Sequence, residues 1–232
     1  METGNFYSEE RWLDFPYTIA QKWGQIWNSP DTYTYTAVTT EKRNWSSLSH
    51  SECRRYQSAV EYDGSIWNSS DSGVTWTEVN IIRKWCKVLV SYDGIHKLAL
   101  EHLGSLWKSC DYGATWSEIT TIENSISFCT DKNFQNISLI SNKGSIWNSY
   151  DYGDTWNEIN LNRDFSLISM DQTGQYRVAC VFKGFFWISN DRGVTWREIK
   201  VFEKKEWKKA MLCRSHLQLI TTNGASFDYN LC

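Results

Sequence analysis

Proline is nearly absent, with two among 232 residues, so the chain carries no Pro-rich linker or extended Pro-rich recognition segment. Histidine is scarce as well. His50, His96, His102 and His216 form no His-x-x-x-His pair and no Cys/His cluster, which leaves a metal site without support. The seven cysteines are odd in number and make no C-x-x-C pair. That pattern points to reduced thiols, most of them buried as small apolar groups, in a cytoplasmic or nuclear setting. No apolar run approaches the roughly 18–20 residues of a membrane helix. The opening METGNFYSEERW has neither the basic nor the apolar segment of an export signal. Without such a signal, the sequons at Asn44, Asn68 and Asn136 read as chance. Neither charge sign dominates: Lys+Arg 24 against Asp+Glu 27 gives −3. A chain so balanced is a poor general binder of nucleic acid or anionic membrane. It has no glycine-rich phosphate loop, and no cofactor is implied.

What the chain has in plenty is aromatics: 14 Trp, 12 Tyr and 10 Phe. Their spacing shows a repeat. Gly24, Gly64, Gly104, Gly144, Gly184 and Gly224 lie forty residues apart without a slip. Each opens a matching segment: GQIWNS, GSIWNS, GSLWKS, GSIWNS, GFFWIS and GASFDY. One Trp column is Trp27, Trp67, Trp107, Trp147 and Trp187, with Phe227 in sixth place; a second is Trp76, Trp116, Trp156 and Trp196. Repeated core packing is the reading for both.

One unit reads as strands throughout. WCKVLVSY (85–92) is rich in β-branched and aromatic residues, Asp93-Gly94 is a hairpin signal, and HKLALEH (96–102) returns. Leu103-Gly104 turns into SLWKS, and a second turn leads to TWSEI. Four short antiparallel strands in forty residues, repeated and free of helix periodicity, are the signature of a β-propeller blade.

The turn between the third and fourth strands is the most specific motif. Ser69-x-Asp71-x-Gly73-x-Thr75-Trp76 recurs as Ser109/Asp111/Gly113/Thr115/Trp116, Ser149/Asp151/Gly153/Thr155/Trp156 and Ser189/Asp191/Gly193/Thr195/Trp196. Asp and Ser can bond the amides of their own turn, Gly permits a positive φ, and Trp covers the reversal. The motif resembles the Asp-box, or bacterial neuraminidase repeat, of sialidases, sortilin-type receptors, xyloglucanases and photosystem assembly factors. The resemblance runs over almost the whole chain. It implies a sialidase-like propeller in which the box is structural and lies on the face opposite an active site.

Six third strands predict a single six-bladed domain over 1–232. The last unit stops after its third strand, and Gly4-Asn5-Phe6-Tyr7-Ser8-Glu9 matches Gly113-Ala114-Thr115-Trp116-Ser117-Glu118. Residues 4–10 are therefore expected to complete the sixth blade, with five blades as the alternative. The first blade is expected to have short first and second strands, and its box is degraded at Ser29-Pro30-Asp31-Thr32-Tyr33.

Fold does not assign function. The turns between second and third strands are tight and leave no long loop for catalytic groups. Sialidases clamp a carboxylate with three arginines, and Arg43, Arg83 and Arg163 share a repeat column here. The early Arg-Ile-Pro-type motif of that family is absent, however, and spacing picks no Tyr/Glu nucleophile pair or Asp acid/base. The expectation is no enzyme and no catalytic residue. It is instead an interaction module whose channel rim holds Arg43, Arg83, Arg163, Trp45, Trp85 and Trp207, with a protein partner favoured. A glycan-binding propeller is the alternative and a sialidase-like hydrolase the third reading. The run Lys204-Lys205-Glu206-Trp207-Lys208-Lys209 with Lys200 reads as a solvated crossover.

Overall fold

A computed structural model of the chain describes residues 6–7, 17–29, 34–119, 122, 124–142, 144–213 and 216–230. Every regular element among them is a β-strand, and no helix is long and apolar enough to cross a membrane. The chain forms two compact units, Met1–Ile119 and Thr120–Cys232.

The first unit holds three repeats. The first contains β1 (Phe6–Tyr7), β2 (Tyr17–Gly24), β3 (Ile26–Ser29) and β4 (Thr36–Ala37). The second contains β5 (Arg43–His50), β6 (Gln57–Gly64), β7 (Ile66–Ser69) and β8 (Thr77–Glu78). The third contains β9 (Arg83–Val90), β10 (Lys97–Glu101), β11 (Leu106–Ser109) and β12 (Ser117–Ile119). The second unit begins with β13 (Ser125–Thr130), β14 (Ile137–Ser141), β15 (Ser145–Ser149) and β16 (Asn157–Asn160). Then come β17 (Phe165–Met170), β18 (Arg177–Val181), β19 (Phe186–Ser189) and β20 (Arg197–Ile199). The last repeat has β21 (Trp207–Cys213), β22 (His216–Thr221) and β23 (Ser226–Asn230). Within each repeat successive strands pair antiparallel, giving the expected blade sheets.

The ends differ from the sequence expectation. Phe6 and Tyr7 do not complete the last sheet. They pair with Gln21 and Ala20 and so supply the first strand of the first blade. The rest of 4–10 lies outside the described residues, as does the degraded box from Pro30 to Tyr33. The second strand of the first blade is also not short, since β2 runs eight residues. In the first unit β2 continues past its own blade: Lys22 and Gly24 pair with Asn44 and Arg43 of β5. Likewise Tyr62 and Gly64 pair with Lys84 and Arg83 of β9.

A β-bulge marks the start of five innermost strands, with register shifts at Trp45/Ser47, Trp85/Lys87, Ser125/Ser127, Phe165/Leu167 and Trp207/Lys209. An extra residue there bends the strand and re-aims the side chain beside it. Trp45, Trp85, Phe165 and Trp207 are all buried. Each meets the third-strand aromatic of its own blade edge-on: Trp45–Trp67 at 6.1 Å, Trp85–Trp107 at 5.9 Å, Phe165–Trp187 at 6.4 Å and Trp207–Phe227 at 5.8 Å. In three blades the residue facing the third-strand Trp on the second strand is small, Ala59, Ala99 or Ala179, which leaves room for the indole. The preceding blade closes each gap. Ala20 and Ile26 pack against Trp45, and Val60 and Ile66 against Trp85. In the second unit Ile140 and Ile146 pack against Phe165, and Val178 and Phe186 against Trp207.

Beside these apolar gaps runs a buried polar clamp. Between the second and third blades, Ser58 Oγ donates to Asn68 Oδ1 (2.5 Å), Lys97 Nζ donates to the same oxygen (2.8 Å), and Asn68 Nδ2 donates to Gly113 O (3.0 Å). Eighty residues on, the pattern recurs. Ser138 Oγ and Arg177 Nη1 each donate to Asn148 Oδ1 at 2.6 Å, and Asn148 Nδ2 donates to Gly193 O at 3.1 Å. Lys97 and Arg177 are among the largest fully buried side chains. Burying a cation costs several kcal/mol unless hydrogen bonds compensate. Burial pushes the Lys97 amine down to about 7, against the field of Asp111, which favours its charged form.

The sign of the resulting pH dependence follows. Between about 7 and the ordinary lysine value the unfolded chain binds this proton and the folded chain releases it, so stability rises with pH, by up to about 1.4 kcal/mol per unit. Chemical denaturation at pH 7 and pH 8 should show native protein gaining stability relative to Lys97→Met. Equal pH slopes in the two proteins would contradict the assignment.

Candidate functional site

The chain presents two kinds of loop end, and they differ in what their side chains are engaged in. At the box turns nearly everything polar is satisfied locally. Ser69 Oγ donates to Asp71 Oδ1 (2.8 Å) and accepts from Gly73 N (2.9 Å). Thr75 N donates to Asp71 Oδ1 (2.9 Å) and Thr75 Oγ1 to Asp71 Oδ2 (2.6 Å). Trp76 Nε1 donates to Gly73 O (3.1 Å), so the indole does more than cover the turn. The same set recurs around Asp111, Asp151 and Asp191 with Trp116, Trp156 and Trp196. Gly73, Gly113, Gly153 and Gly193 all have positive φ, and so do the residues before them, Ser72, Tyr112, Tyr152 and Arg192. Two successive left-handed residues reverse the chain within the turn. Partial burial raises the four carboxyls, but the Thr hydroxyl, Thr amide and Ser bonds outweigh it and hold them below the usual carboxylate range. Both oxygens of each Asp are thus engaged by their own turn.

At the opposite end of the strands lie the second-to-third strand turns and the blade crossovers, where the rim residues were expected. Trp45, Trp85 and Trp207 do not reach solvent there. They fill the gaps between blades, and their indole N–H groups donate to Gly24 O (3.1 Å), Ile81 O (3.0 Å) and Gly184 O (3.0 Å). The expectation that they form an aromatic rim is corrected: the bulge turns them inward. The arginine column serves the same cores. Arg43 lies 4.4 Å from the Trp67 ring, Arg83 5.4 Å from Trp107 and Arg163 5.8 Å from Trp187, each over the third-strand Trp of its own blade. Arg43 is further held by Glu61 (3.1 Å) and Glu41 (2.6 Å), while Trp67 Nε1 donates to Glu61 (2.5 Å). Arg83 and Arg163 are exposed and each bonds the carbonyl before it.

The residues that do face solvent at this end were missed. Trp23 and Leu103 precede the turn glycines, have φ of 57° and 52°, and are 69% and 55% exposed. Left-handed backbone at a bulky side chain is unusual and points to a held geometry. Exposed Ile82 sits beside the Arg83–Gly64 pairing, next to a Tyr62–His102 edge contact at 6.0 Å. In the second unit Phe182 and Val201 are exposed at the same end. The signal was present in the turn dipeptides Trp23-Gly24 and Leu103-Gly104, which had been read only as tight. Of the lysine cluster, Lys205 pairs with Glu203 (3.2 Å) and Lys200 with Glu198 (3.0 Å), as expected of a solvated crossover. The cysteines depart from their expected burial. Among the described residues Cys53, Cys110 and Cys213 are exposed, Cys86 is half-buried, and Cys129 and Cys180 are buried. No group of three or more metal-ligating side chains occurs among the described residues.

Repeated antiparallel four-stranded sheets, packed face to face through aromatic gaps within each unit, define an all-β propeller. Solved structures bear this out. A GH74 enzyme from Niastella koreensis superposes with a TM-score of 0.64 at 13% identity over 92% of this chain. YCF48 bound to D1 peptide gives 0.69 at 13% over 92%, spanning 74% of that chain. A nidogen/laminin complex gives 0.62 at 13% over 90%, spanning 87% of that chain. The chain spans only 35% of the length of the GH74 enzyme. No protein-family model and no curated protein matches the sequence. The expectation that the chain is no enzyme is overturned by these neighbours: a glycoside hydrolase stands on the same fold, so short turns on this fold are no ground for excluding catalysis.

Two substitutions separate core from surface here. Trp85→Ala should cost about 3–5 kcal/mol in chemical denaturation, the cost of emptying a packed core site; a loss of a few tenths would return Trp85 to the surface. A box carboxyl with a depressed pKa contributes stability above its unfolded value that is lost as pH falls through its folded value. Asp151→Asn should therefore be less stable than native protein at neutral pH and approach it in strong acid. A gap that stays constant down to pH 2 would contradict the turn chemistry.

Proposed function

We propose that the chain is a six-bladed Asp-box propeller, one domain over 1–232, that docks a protein partner at the end carrying the second-to-third strand turns. The observation that carries this reading is the pair Trp23 and Leu103, bulky apolar side chains held outward on left-handed turn positions. Large rigid apolar residues with few rotamers to lose are efficient contact points, and Trp is enriched among residues that dominate binding energy. Between them lie Ile82 and the Tyr62–His102 pair, with Arg83 and Lys84 exposed beside the same turns. That surface mixes apolar contact with donors suited to a carboxylate or a peptide carbonyl. A structural neighbour solved with a bound peptide and another within a protein complex are consistent with a protein partner. The reduced-thiol pattern supports a cytoplasmic or nuclear site of action.

The test is selection from a random peptide library on the purified, reduced protein, followed by titration of selected peptides against native protein and the Trp23→Ala/Leu103→Ala double variant. Peptides are expected to bind native protein and to lose about tenfold or more in affinity on the variant. Selected peptides that bind both proteins equally would place the docking surface elsewhere.

A further inference from the structure

The second unit contains a cavity of about 470 Å³ at its box end, where the β13–β14 and β17–β18 turns meet. Its position is fixed by backbone bonds. Lys132 N donates to Gln172 O (3.1 Å), tying the two turns, and Tyr152 N and Arg192 N donate to Gln135 O (3.3 Å) and Gln175 O (3.1 Å). The Tyr150 hydroxyl donates to Arg192 O (3.1 Å), and the buried Arg177 guanidinium lies 5.6 Å from the Tyr150 ring. The walls are thus held in place before any ligand arrives.

Eighty residues earlier the same gap is filled. Tyr56 packs on Tyr112 with the rings tilted by 36° and their centroids 4.4 Å apart, and Tyr56 lies so close on Gly94 that a Cβ there would meet it at 2.4 Å. The corresponding residues in the second unit are Asn136 and Arg192, which leave the space open. In the repeat column of Asp131 the first unit has Ser51. Asp131 is only 6% exposed; its Oδ2 accepts from Asn136 Nδ2 (2.6 Å), and its Oδ1 has no donor. Asp131 lines the cavity, and a carboxylate oxygen that already holds one donor can accept a second.

The lining decides the ligand class. A carboxylate at the floor disfavours an anion, and the presence of Lys132 and Arg192, with no cluster of metal-ligating side chains, disfavours a metal ion. Pockets for apolar small molecules are lined mainly by apolar side chains. Here Asn133, Gln135, Gln172 and Thr173 present groups that both donate and accept, beside one aromatic ring, Tyr150. A neutral molecule rich in hydroxyls, with a C–H face for the ring, satisfies every one of these conditions. We propose that this cavity binds a sugar residue, with Asp131 as the acceptor at its floor. The site shares no residue with the proposed peptide-docking surface, which belongs to the first unit.

The experiment is saturation-transfer NMR of the purified protein with xylose, glucose, galactose and mannose, each as the free sugar and as its methyl glycoside. Two variants copy the chain's own closed gap: Asn136→Tyr/Arg192→Tyr, which fills the space, and Asp131→Ser, which removes the acceptor. Because both arrangements already exist in the first unit, the variants should fold, and thermal melting checks this. Transfer to at least one sugar on native protein, its loss on the Tyr double variant and a weakening of about tenfold or more on Asp131→Ser are expected. Binding of the methyl glycoside as well as the free sugar would identify a residue of a glycan chain; rejection of the glycoside would identify a free sugar. Absence of transfer to all four sugars, or undiminished transfer on the folded Tyr double variant, would overturn the proposal.

Discussion

The gap between neighbouring blades is the constraint on which the rest of this protein depends. A four-stranded sheet of forty residues has two faces and cannot cover either with its own chain. Each described gap is closed by the same parts: an aromatic side chain turned inward at a bulge, an edge-on third-strand aromatic, and aliphatic residues of the blade before. A slip of one residue along a strand would carry every side chain to the other face. That is why the turn glycines keep their forty-residue spacing without exception, and why the repeat is so plain in the sequence.

The polar clamp shows how the same gap tolerates charge. Asn68 and Asn148 each link a second-strand cation of the following blade to the box glycine carbonyl of that blade. In the first gap Asn28 makes the corresponding bridge to Ser72 O, and Gln57 stands where the cation would be. The box turn is therefore part of the interface between blades as well as a local reversal. Its carboxylates are occupied by their own Thr and Ser, which leaves chemistry and recognition to positions where the repeat varies.

Those variable positions divide between the two ends. At the turn end, Trp23, Asp63, Leu103, Lys183 and Asn223, each just before a turn glycine, are all exposed and so free to differ from one another. At the box end, the Tyr56–Tyr112 pair closes one gap, while Asn136, Arg192 and Asp131 open its counterpart. The columns that hold the blades together stay constant, and the columns free of that packing vary.

Much of this could be read from the chain alone. The glycine spacing, two tryptophan columns and the Ser/Asp/Gly/Thr/Trp turn determined an all-β repeat fold with antiparallel blades, because each signal is local and is repeated four to six times. What the tertiary structure decided were matters of direction and partnership. Trp45 and Trp23 are both tryptophans near a turn; a bulge buries the first, and a left-handed backbone exposes the second. Phe6 and Tyr7 suit a fourth strand as well as a first, and only their pairing with Gln21 and Ala20 chose between them. Lys97 and Arg177 resemble surface cations until Asn68 and Asn148, each twenty-nine residues away in sequence, are seen to receive them. Short-range pattern sets how a segment folds, but which face it shows and what it touches depend on contacts between segments that the chain brings together only on folding.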